Sequence, residues 1–405
     1  MALKDGQKGG KCMDQVKKTI FICSGAGDDK RAQINRELME KNAGALVDAV
    51  AEAGKAADER YIYIPKAYEN AVNAIRPLAL EKGIFVVTGD DSPVCRDKTA
   101  LISVFNGKII RPYVEEDQET FKGYENVAKI IVSAEDVLRN AQGTTDRKLL
   151  YVSGAVQAPG FIQVPYGTSL ARILEMAGGV KEGSAVKAVL VGGELGRFIS
   201  PNDLETTIME KGSDIFTGGV EVLDQTYCGA DFTKTILDSA RNDSCGKCPL
   251  CREGTYQFYT IFNEITNGKG KITDVALMKD MADTIGWGAF CQFGQHMVNI
   301  VKSAFEVMGD EIEGHIKRKK CEAGVCKSFM TLAILPNKCT GCEECADVCP
   351  EDAIEGKAGY IHMIDNDMCE KCGKCMDVCE EDAIVVVGSV KPKLPKRLTR
   401  VGRFR

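Results

Sequence analysis

Hydrophobic and polar positions follow two different periods along residues 19–89. Short runs of β-branched and aromatic residues, TIFIC and RYIYIP, have the composition of buried strands. Between them, RAQINRELMEKNAGALVDAVAEAG carries apolar residues at helical spacing and ends at Gly54. A second helical pattern, YENAVNAIRPLALEKG, leads into the strand-like IFVVTG. The order strand, helix, strand, helix, strand predicts a layered α/β domain, which we assign to residues 1–145.

The pattern after residue 145 predicts four further segments. Short strands, an Ala-Pro-Gly turn and one helix from Ser169 to Ala177 indicate a small β-grasp-like domain, and long amphipathic helices follow it. A cysteine-dense region comes next, and the chain ends in KPKLPKRLTRVGRFR, which has seven basic side chains and no acidic one. Two interpretations of this basic tail are open, a docking arm for an acidic neighbour and a solvated tail. The predicted boundaries are 146–222, 223–318, 319–390 and 391–405.

Composition narrows the class of protein. With 44% hydrophobic and 27% charged residues, the 405-residue chain has the composition of an ordinary globular protein with several domains. Its net charge of −6 gives no reason to expect nucleic-acid binding. No apolar run approaches the roughly 18 residues that indicate a membrane span. The polar N-terminus lacks the apolar core of a signal peptide, which predicts a cytoplasmic protein.

Cysteine is the most informative residue type in this chain. Eighteen cysteines stand against only three histidines, and most cysteines after residue 240 occur at C-x2-C spacing. In a large chain that is not exported, such spacing is typical of metal sites rather than disulfides. Because histidine is scarce, most ligands must be thiolates, which favour iron–sulfur clusters or zinc.

Two copies of one cysteine motif lie near the C-terminus. CTGCEECADVCP (339–350) and CEKCGKCMDVCE (369–380) share C-x2-C-x2-C-x3-C spacing, and DAI follows each of them. In bacterial two-cluster ferredoxins three cysteines of such a motif bind one [4Fe-4S] cluster, and the fourth binds the other cluster. A pair of zinc sites is disfavoured, since zinc sites use cysteine pairs across a longer gap. The predicted ligands are Cys339, Cys342, Cys345 and Cys379 for one cluster, and Cys369, Cys372, Cys375 and Cys349 for the other.

A third motif, SCGKCPLCREGT, has no fourth cysteine nearby. Its C-x2-C-x2-C triplet consists of Cys245, Cys248 and Cys251. Alone, this triplet fits either a zinc site or part of a cluster. The later segment FCQFG supplies Cys291 beside Trp287, Phe290 and Phe293, a mostly apolar setting that suits a buried cluster.

The combination of SCGKCPLCREGT and FCQFG resembles the cluster-binding domain of the NADH-oxidising flavoprotein subunit of respiratory complex I. That domain also occurs in soluble NAD-linked hydrogenases, electron-bifurcating ones among them, and in formate dehydrogenases. LLYVSGAVQAPGFIQVPYGTSLARILEMAGGV is similar to the SLBB β-grasp domain of this family, and HIKRKKCEAGVCK before a two-cluster ferredoxin resembles the hydrogenase-type members. The resemblance covers about residues 20–388 and implies a multidomain α/β and α+β fold that begins with a flavoprotein-type domain. It also implies one [4Fe-4S] cluster bound by Cys245, Cys248, Cys251 and Cys291.

The resemblance also shows what the first domain has lost. Family members bind FMN and NADH through a GRGGAGFPTG-like loop, which this sequence lacks. CSGAGDDK stands in place of an NADEGEPG-like run, and CRDKTAL in place of CGEETAL, so that Arg96 replaces a glycine and Lys98 replaces a glutamate. We therefore expect a degenerate flavin domain without FMN or NAD. The alternative is a different anion or nucleotide site, formed by Gly25, Gly27, Arg96 and Lys98.

A possible zinc site completes the candidate chemistry. Mixed cysteine and histidine sets suit tetrahedral zinc. The candidate ligands for a structural zinc ion between domains are Cys321, Cys326, His315 and His362. The alternative is two free thiols on a linker, and Cys228 is predicted to be a free thiol.

Three clusters without a flavin or substrate site predict a non-catalytic electron-transfer subunit of a cytoplasmic multisubunit oxidoreductase. Its expected partners are a flavoprotein, a catalytic metal subunit and a ferredoxin-like subunit, in the setting of an anaerobe and of electron bifurcation. Two alternatives are an NAD(P)H dehydrogenase with a remodelled flavin site and a structural hub whose clusters hold the domains together.

Overall fold

The computed structural model describes residues 18–113, 127–213, 216–387 and 392–404. The first domain contains a parallel four-stranded sheet in the order β3-β2-β1-β4. Its strands are β1 (Lys18–Ser24), β2 (Glu59–Pro65), β3 (Phe85–Gly89) and β4 (Val127–Ser133). Its helices are α1 (Ile34–Lys41), α2 (Ala43–Ala53), α3 (Glu69–Glu81), α4 (Lys98–Phe105) and α5 (Ala134–Gln142). The predicted layered α/β class is confirmed.

The first predicted helix is divided in two at Asn42. The Asn42 N–H donates to Leu38 at the end of α1, and its carbonyl accepts from Leu46 at the start of α2. Asparagine favours such terminal positions because its amide competes for backbone hydrogen bonds. Apolar residues of both helices nevertheless pack on one core, including Met39 and Val50, which explains the continuous helical pattern.

The second domain is a mixed five-stranded sheet in the order β6-β5-β9-β7-β8. Its strands are β5 (Arg147–Gly154), β6 (Gly160–Pro165), β7 (Ala188–Val191), β8 (Arg197–Ile199) and β9 (Gly219–Leu223). Helix α6 (Leu170–Met176) buries Leu170, Ile173 and Leu174, and the Ser169 hydroxyl caps its N-terminus by accepting from the N–H of Arg172. A single helix packed on a small mixed sheet is the arrangement expected of a β-grasp-like domain.

Four long helices form the third domain. They are α7 (Gly229–Asp243), α8 (Pro249–Thr266), α9 (Ile272–Gly288) and α10 (Gln292–Lys317). Their core includes Phe258, Phe262 and Met297. In the described residues, no helix is both long and apolar enough to cross a membrane.

The ferredoxin-type domain consists of short elements arranged as an internal repeat. They are β10 (Thr331–Ile334), α11 (Glu344–Asp347), β11 (Ile354–Glu355), β12 (Tyr360–Ile361), β13 (Met363–Ile364), α12 (Lys374–Asp377) and β14 (Ile384–Val387). Strands β10 and β14 pair antiparallel, as do β11 and β13. The described part of the basic tail forms β15 (Thr399–Arg400), which pairs with β12. The boundaries of the five predicted segments stay predictions, and residues 1–17, Lys391 and Arg405 lie outside the described residues.

Candidate metal centres

The cysteine triplet and Cys291 line one cavity in the helical domain. Cys248 directly precedes α8 and Cys291 directly precedes α10, so two helix starts bring the thiols together. Gly294 in the first turn of α10 permits this approach, because a Cβ there would come within 3.2 Å of the Cβ of Cys251. The cysteines that line the cavity are Cys245, Cys248, Cys251 and Cys291.

Burial is the main cause of the pKa shifts of two of these thiols. It raises the pKa of Cys251 to about 11 and also raises the pKa of Cys291. The Ser244 hydroxyl lies 3.6 Å from the Cys251 sulfur. With this pKa, the Cys251 thiol stays protonated at neutral pH unless a metal supplies the positive charge that a thiolate needs.

The apolar surroundings expected for Cys291 are only partly present. Phe293 is buried and lines the cavity, and Phe290 lines it too although it is 45% exposed, but Trp287 is 92% exposed. Trp287 lies in the last turn of α9, on a side that faces solvent, so its predicted place near a buried cluster is wrong. Pro112 also lines the cavity, and its carbonyl accepts a hydrogen bond of 2.6 Å from the Lys247 ammonium.

Two further cavities lie in the ferredoxin-type domain. Each is lined by three cysteines of one motif and one of the other, the grouping that the spacing predicts, although cluster binding itself stays a prediction. One cavity has Cys339, Cys342, Cys345 and Cys379, and the other has Cys349, Cys369, Cys372 and Cys375. Backbone amides face three of the sulfurs, since the N–H of Ala353 donates to Cys349 at 3.3 Å, that of Lys371 to Cys369 at 3.3 Å and that of Ala383 to Cys379 at 3.4 Å. Burial raises the pKa of Cys345 to about 12.

His362 lines the first of these cavities rather than the proposed zinc site. Its side chain is 1% exposed, and neither ring nitrogen has a hydrogen-bond partner within the described part of the chain. A side chain on Gly356 would overlap the imidazole, so glycine is needed there. The prediction of His362 as a zinc ligand is therefore corrected, because the β12–β13 connection carries this residue into the ferredoxin-type core.

The remaining candidate zinc ligands come together with Cys228. The four ligand atoms of this buried group all lie within 4.8 Å of one another, and the residues are Cys228, His315, Cys321 and Cys326. The Cys228 sulfur is 3.2 Å from Nε2 of His315 and 3.6 Å from the Cys326 sulfur. Cys228 is therefore not an isolated thiol, contrary to the prediction. It directly precedes α7, whereas His315 lies 87 residues later in the last turn of α10.

Hydrogen bonds orient this group. Nδ1 of His315 lies 2.9 Å from the carbonyl of Glu311, which leaves Nε2 facing the sulfurs. Hydrogen bonds from Cys228 and Cys326 lower the pKa of Cys321, which favours one thiolate in the group. Three sulfurs and one imidazole nitrogen form a donor set that suits tetrahedral zinc.

A cleft of about 320 Å³ lies at the carboxyl ends of β1 and β4. Gly27, Arg96 and Lys98 line it, as the alternative anion site requires, but in the described residues Gly25 is not part of the lining. The Arg96 Nε donates to the Gly27 carbonyl at 2.8 Å, so this guanidinium holds the loop that follows β1. Burial raises the pKa of Asp28, another residue of the lining, to about 7. The cleft thus combines basic and acidic groups.

Three family models match the chain. The NADH-ubiquinone oxidoreductase-F iron-sulfur binding region matches residues 231–315, and the SLBB domain matches residues 149–198. The 4Fe-4S binding domain matches residues 332–355 and again 362–385.

Similar proteins of known sequence or structure support the same family. The NADP-reducing hydrogenase subunit HndC of Solidesulfovibrio fructosivorans is 31% identical over 363 residues, which cover 80% of this chain and 74% of HndC. An F subunit of the NADH-quinone oxidoreductase of Rhizobium meliloti is 25% identical over 345 residues, 75% of this chain and 82% of the relative. An NAD⁺-reducing [NiFe]-hydrogenase in the H2-reduced state has a similar fold, with a TM-score of 0.67 and 21% identity. That similarity covers 74% of this chain and 57% of the hydrogenase chain.

The matched segments coincide with the structural elements that hold the cysteines. The iron–sulfur binding region spans α7 to α10, and each copy of the 4Fe-4S binding domain contains one four-cysteine motif. The resemblance identified from the sequence is therefore confirmed. This chain belongs to the NADH-ubiquinone oxidoreductase F-subunit-like family and carries SLBB and 4Fe-4S binding domains in addition.

Proposed function

We propose that this chain is an iron–sulfur electron-transfer subunit of a multisubunit oxidoreductase and that it holds three [4Fe-4S] clusters. The observation that carries this function is that the eleven cysteines of the three motifs, together with Cys291, line three cavities in groups of four. When bound, such clusters accept and release single electrons. The proposed ligand sets are Cys245, Cys248, Cys251 and Cys291; Cys339, Cys342, Cys345 and Cys379; and Cys349, Cys369, Cys372 and Cys375.

The residues around the cavities include hydrogen-bond donors that need acceptors, and iron–sulfur clusters supply such acceptors. A buried ring N–H without an acceptor, as in His362, is costly, and cluster sulfurs would supply that acceptor. The amides of Ala353 and Ala383 already point at ligand sulfurs. Such donors stabilise the added negative charge of a reduced cluster and tune its potential.

We infer that the first domain is a scaffold without FMN or NAD. Arg96 supports this inference, because its side chain is bound to the Gly27 carbonyl inside the cleft. Flavin or catalytic chemistry would then come from partner subunits, namely a flavoprotein, a catalytic metal subunit and a ferredoxin-like subunit. We propose the cytoplasm of an anaerobe as the setting, with electron bifurcation as the overall process.

We also propose a structural zinc ion held by Cys228, His315, Cys321 and Cys326. This ion would join the start of α7, the end of α10 and the segment that leads to β10. Such an ion contributes directly to folding stability, because the ligand set does not exist in the unfolded chain.

A second candidate function is an NAD(P)H dehydrogenase with a remodelled flavin site. The specific observation in its favour is the cleft of about 320 Å³, with the exposed cation Lys98 in its lining. A third candidate is a structural hub whose clusters hold the domains together.

One anaerobic preparation of the full chain separates these functions. The proposed function predicts about twelve iron atoms per chain, reversible reduction by dithionite, and no flavin released by acid denaturation. Flavin at about one per chain, or bleaching of the clusters by NADH alone, would support the dehydrogenase instead. Clusters that cannot be reduced would support the structural hub.

A further inference from the structure

The described part of the basic tail folds back onto the ferredoxin-type domain. In β15, Arg400 pairs with Tyr360 of β12, and the N–H of Val401 donates to the Gly359 carbonyl at 3.1 Å. Phe404 packs against the core of the same domain. The basic charges of this segment are therefore held at a defined place on the surface.

Two exposed cations lie against the ring of Tyr360, and a third, Arg403, acts on the charge of its phenol. The Lys357 ammonium lies 4.5 Å from the centre of the Tyr360 ring, and the Arg400 guanidinium lies 5.8 Å from it. Arg400 also donates to the Tyr360 hydroxyl at 3.3 Å. Arg400 first, then Lys357 and Arg403, lower the pKa of this phenol. We call Lys357, Arg400 and Arg403 the basic rim.

The basic rim stands out against an acidic domain. Residues 332–387 contain thirteen aspartates and glutamates against four lysines and no arginine. Despite this supply of carboxylates, no ion pair between the rim and a carboxylate occurs in the described part of the chain. Uncompensated cations on an otherwise acidic domain produce a local positive field that attracts an acidic surface.

The basic rim adjoins one of the cysteine-lined cavities. The loop from Cys339 to Cys342 contains Gly341, whose carbonyl accepts from the N–H of Gly359 at 3.0 Å. A Cβ on Gly341 would come within 2.8 Å of the Tyr360 backbone nitrogen, so the two segments are in direct contact. Cys342 is also exposed. A protein seated on the rim would therefore lie beside the accessible edge of the Cys339, Cys342, Cys345 and Cys379 site.

We propose that the basic rim is the docking surface for an acidic electron-carrier protein of the small ferredoxin type. This assignment rests on the proposed function, since it places the carrier beside a redox site. The reduced carrier would transfer one electron to the group held by Cys339, Cys342, Cys345 and Cys379. No bond is formed or broken in this step, and no proton is transferred. Electrostatic docking of this kind governs the association rate and weakens with salt.

The test uses the full chain with an acidic two-cluster bacterial ferredoxin as the probe. In the triple variant Lys357→Glu, Arg400→Glu and Arg403→Glu, we expect the Kd at low salt to rise roughly tenfold and its salt dependence to flatten. The matched control reverses three exposed cations elsewhere, Arg76→Glu, Lys211→Glu and Lys269→Glu, and should bind like the unaltered chain. The milder pair Lys357→Gln and Arg403→Gln leaves β15 intact and should give an intermediate Kd.

Reduction by methyl viologen separates the two proposals. If viologen reduces all variants equally but ferredoxin binds the rim variant as tightly as the control, the docking surface is wrong and the proposed function stands. If viologen cannot reduce the unaltered chain, the proposed function itself fails. Rim-dependent binding to vesicles of anionic phospholipid, without binding to ferredoxin, would also overturn the docking proposal.

Discussion

The imidazole of His362 occupies the space that a side chain on Gly356 would need. This fit places an almost fully buried ring, with no partner for either nitrogen in the described residues, against a cavity lined by cysteines. We therefore infer that the imidazole of His362 donates an N–H hydrogen bond to the group that the cavity binds.

We expect the variant His362→Phe to shift the midpoint potential of one cluster to a more negative value. Phenylalanine fills similar space but donates no hydrogen bond, and such donors stabilise the reduced state of a cluster. A redox titration followed by electron paramagnetic resonance measures the shift. The control His296→Phe should leave all potentials unchanged, and an unaltered potential in His362→Phe would show that the ring is only packing.

The variant Cys291→Ala should remove one cluster and leave the ferredoxin-type pair intact. Only three thiols would remain in the helical-domain cavity, so we expect iron to fall by about four atoms from about twelve per chain. Cys95→Ala, at a buried cysteine outside these cavities, is the control and should retain all the iron. Full iron content in the Cys291 variant would mean that another residue is the fourth ligand.

The variant Cys228→Ser should abolish zinc binding while iron content stays constant. It breaks a buried group that joins two helices, so we expect the free energy of unfolding to fall by a few kcal/mol. Metal analysis and denaturant titration measure the two effects. Cys23→Ser, another fully buried cysteine, controls for the cost of burying a hydroxyl and should retain the zinc. Zinc retained in Cys228→Ser, or absent from the unaltered chain, would contradict the assignment.

Stability should depend on pH through Glu194. Burial first, and then the nearby charge of Asp243, raise the pKa of this carboxyl from its ordinary 4.5 to about 8. The native chain therefore binds one more proton than the unfolded chain between these values, so the free energy of unfolding falls as pH rises through this window. Glu194→Gln should flatten this dependence in thermal melts, whereas Glu182→Gln, at an exposed site, should not. An unchanged slope in Glu194→Gln would exclude this carboxyl as the source.

Sequence reasoning succeeded where the chemistry is local in the chain. Three cysteines at C-x2-C-x2-C spacing must lie within one turn or loop, so their grouping follows from spacing alone. The strands and helices of residues 19–89 were equally predictable. There the pattern of apolar residues in the sequence agrees with the elements that the structure contains.

The predictions that were wrong concern contacts that depend on tertiary packing. No periodic signal links Cys228 to His315 across 87 residues; the available hint was that VLDQTYC ends directly before a helix. His362 was assigned by residue type alone, although its place between β12 and β13 determines what it contacts. Trp287 was expected to contribute to an apolar setting for Cys291, yet large apolar side chains are common on protein surfaces.

The group of Cys228, His315, Cys321 and Cys326 has a mechanical consequence for the ferredoxin-type domain. Cys326 belongs to this buried group, and β10 begins at Thr331, only five residues later. Five Cα–Cα steps span at most about 18 Å, even when fully extended. The connection to the two C-terminal sites is therefore short. Its free length is shorter still, because the Ser328 hydroxyl donates to Asn267 at 3.0 Å and the Phe329 ring packs against His315.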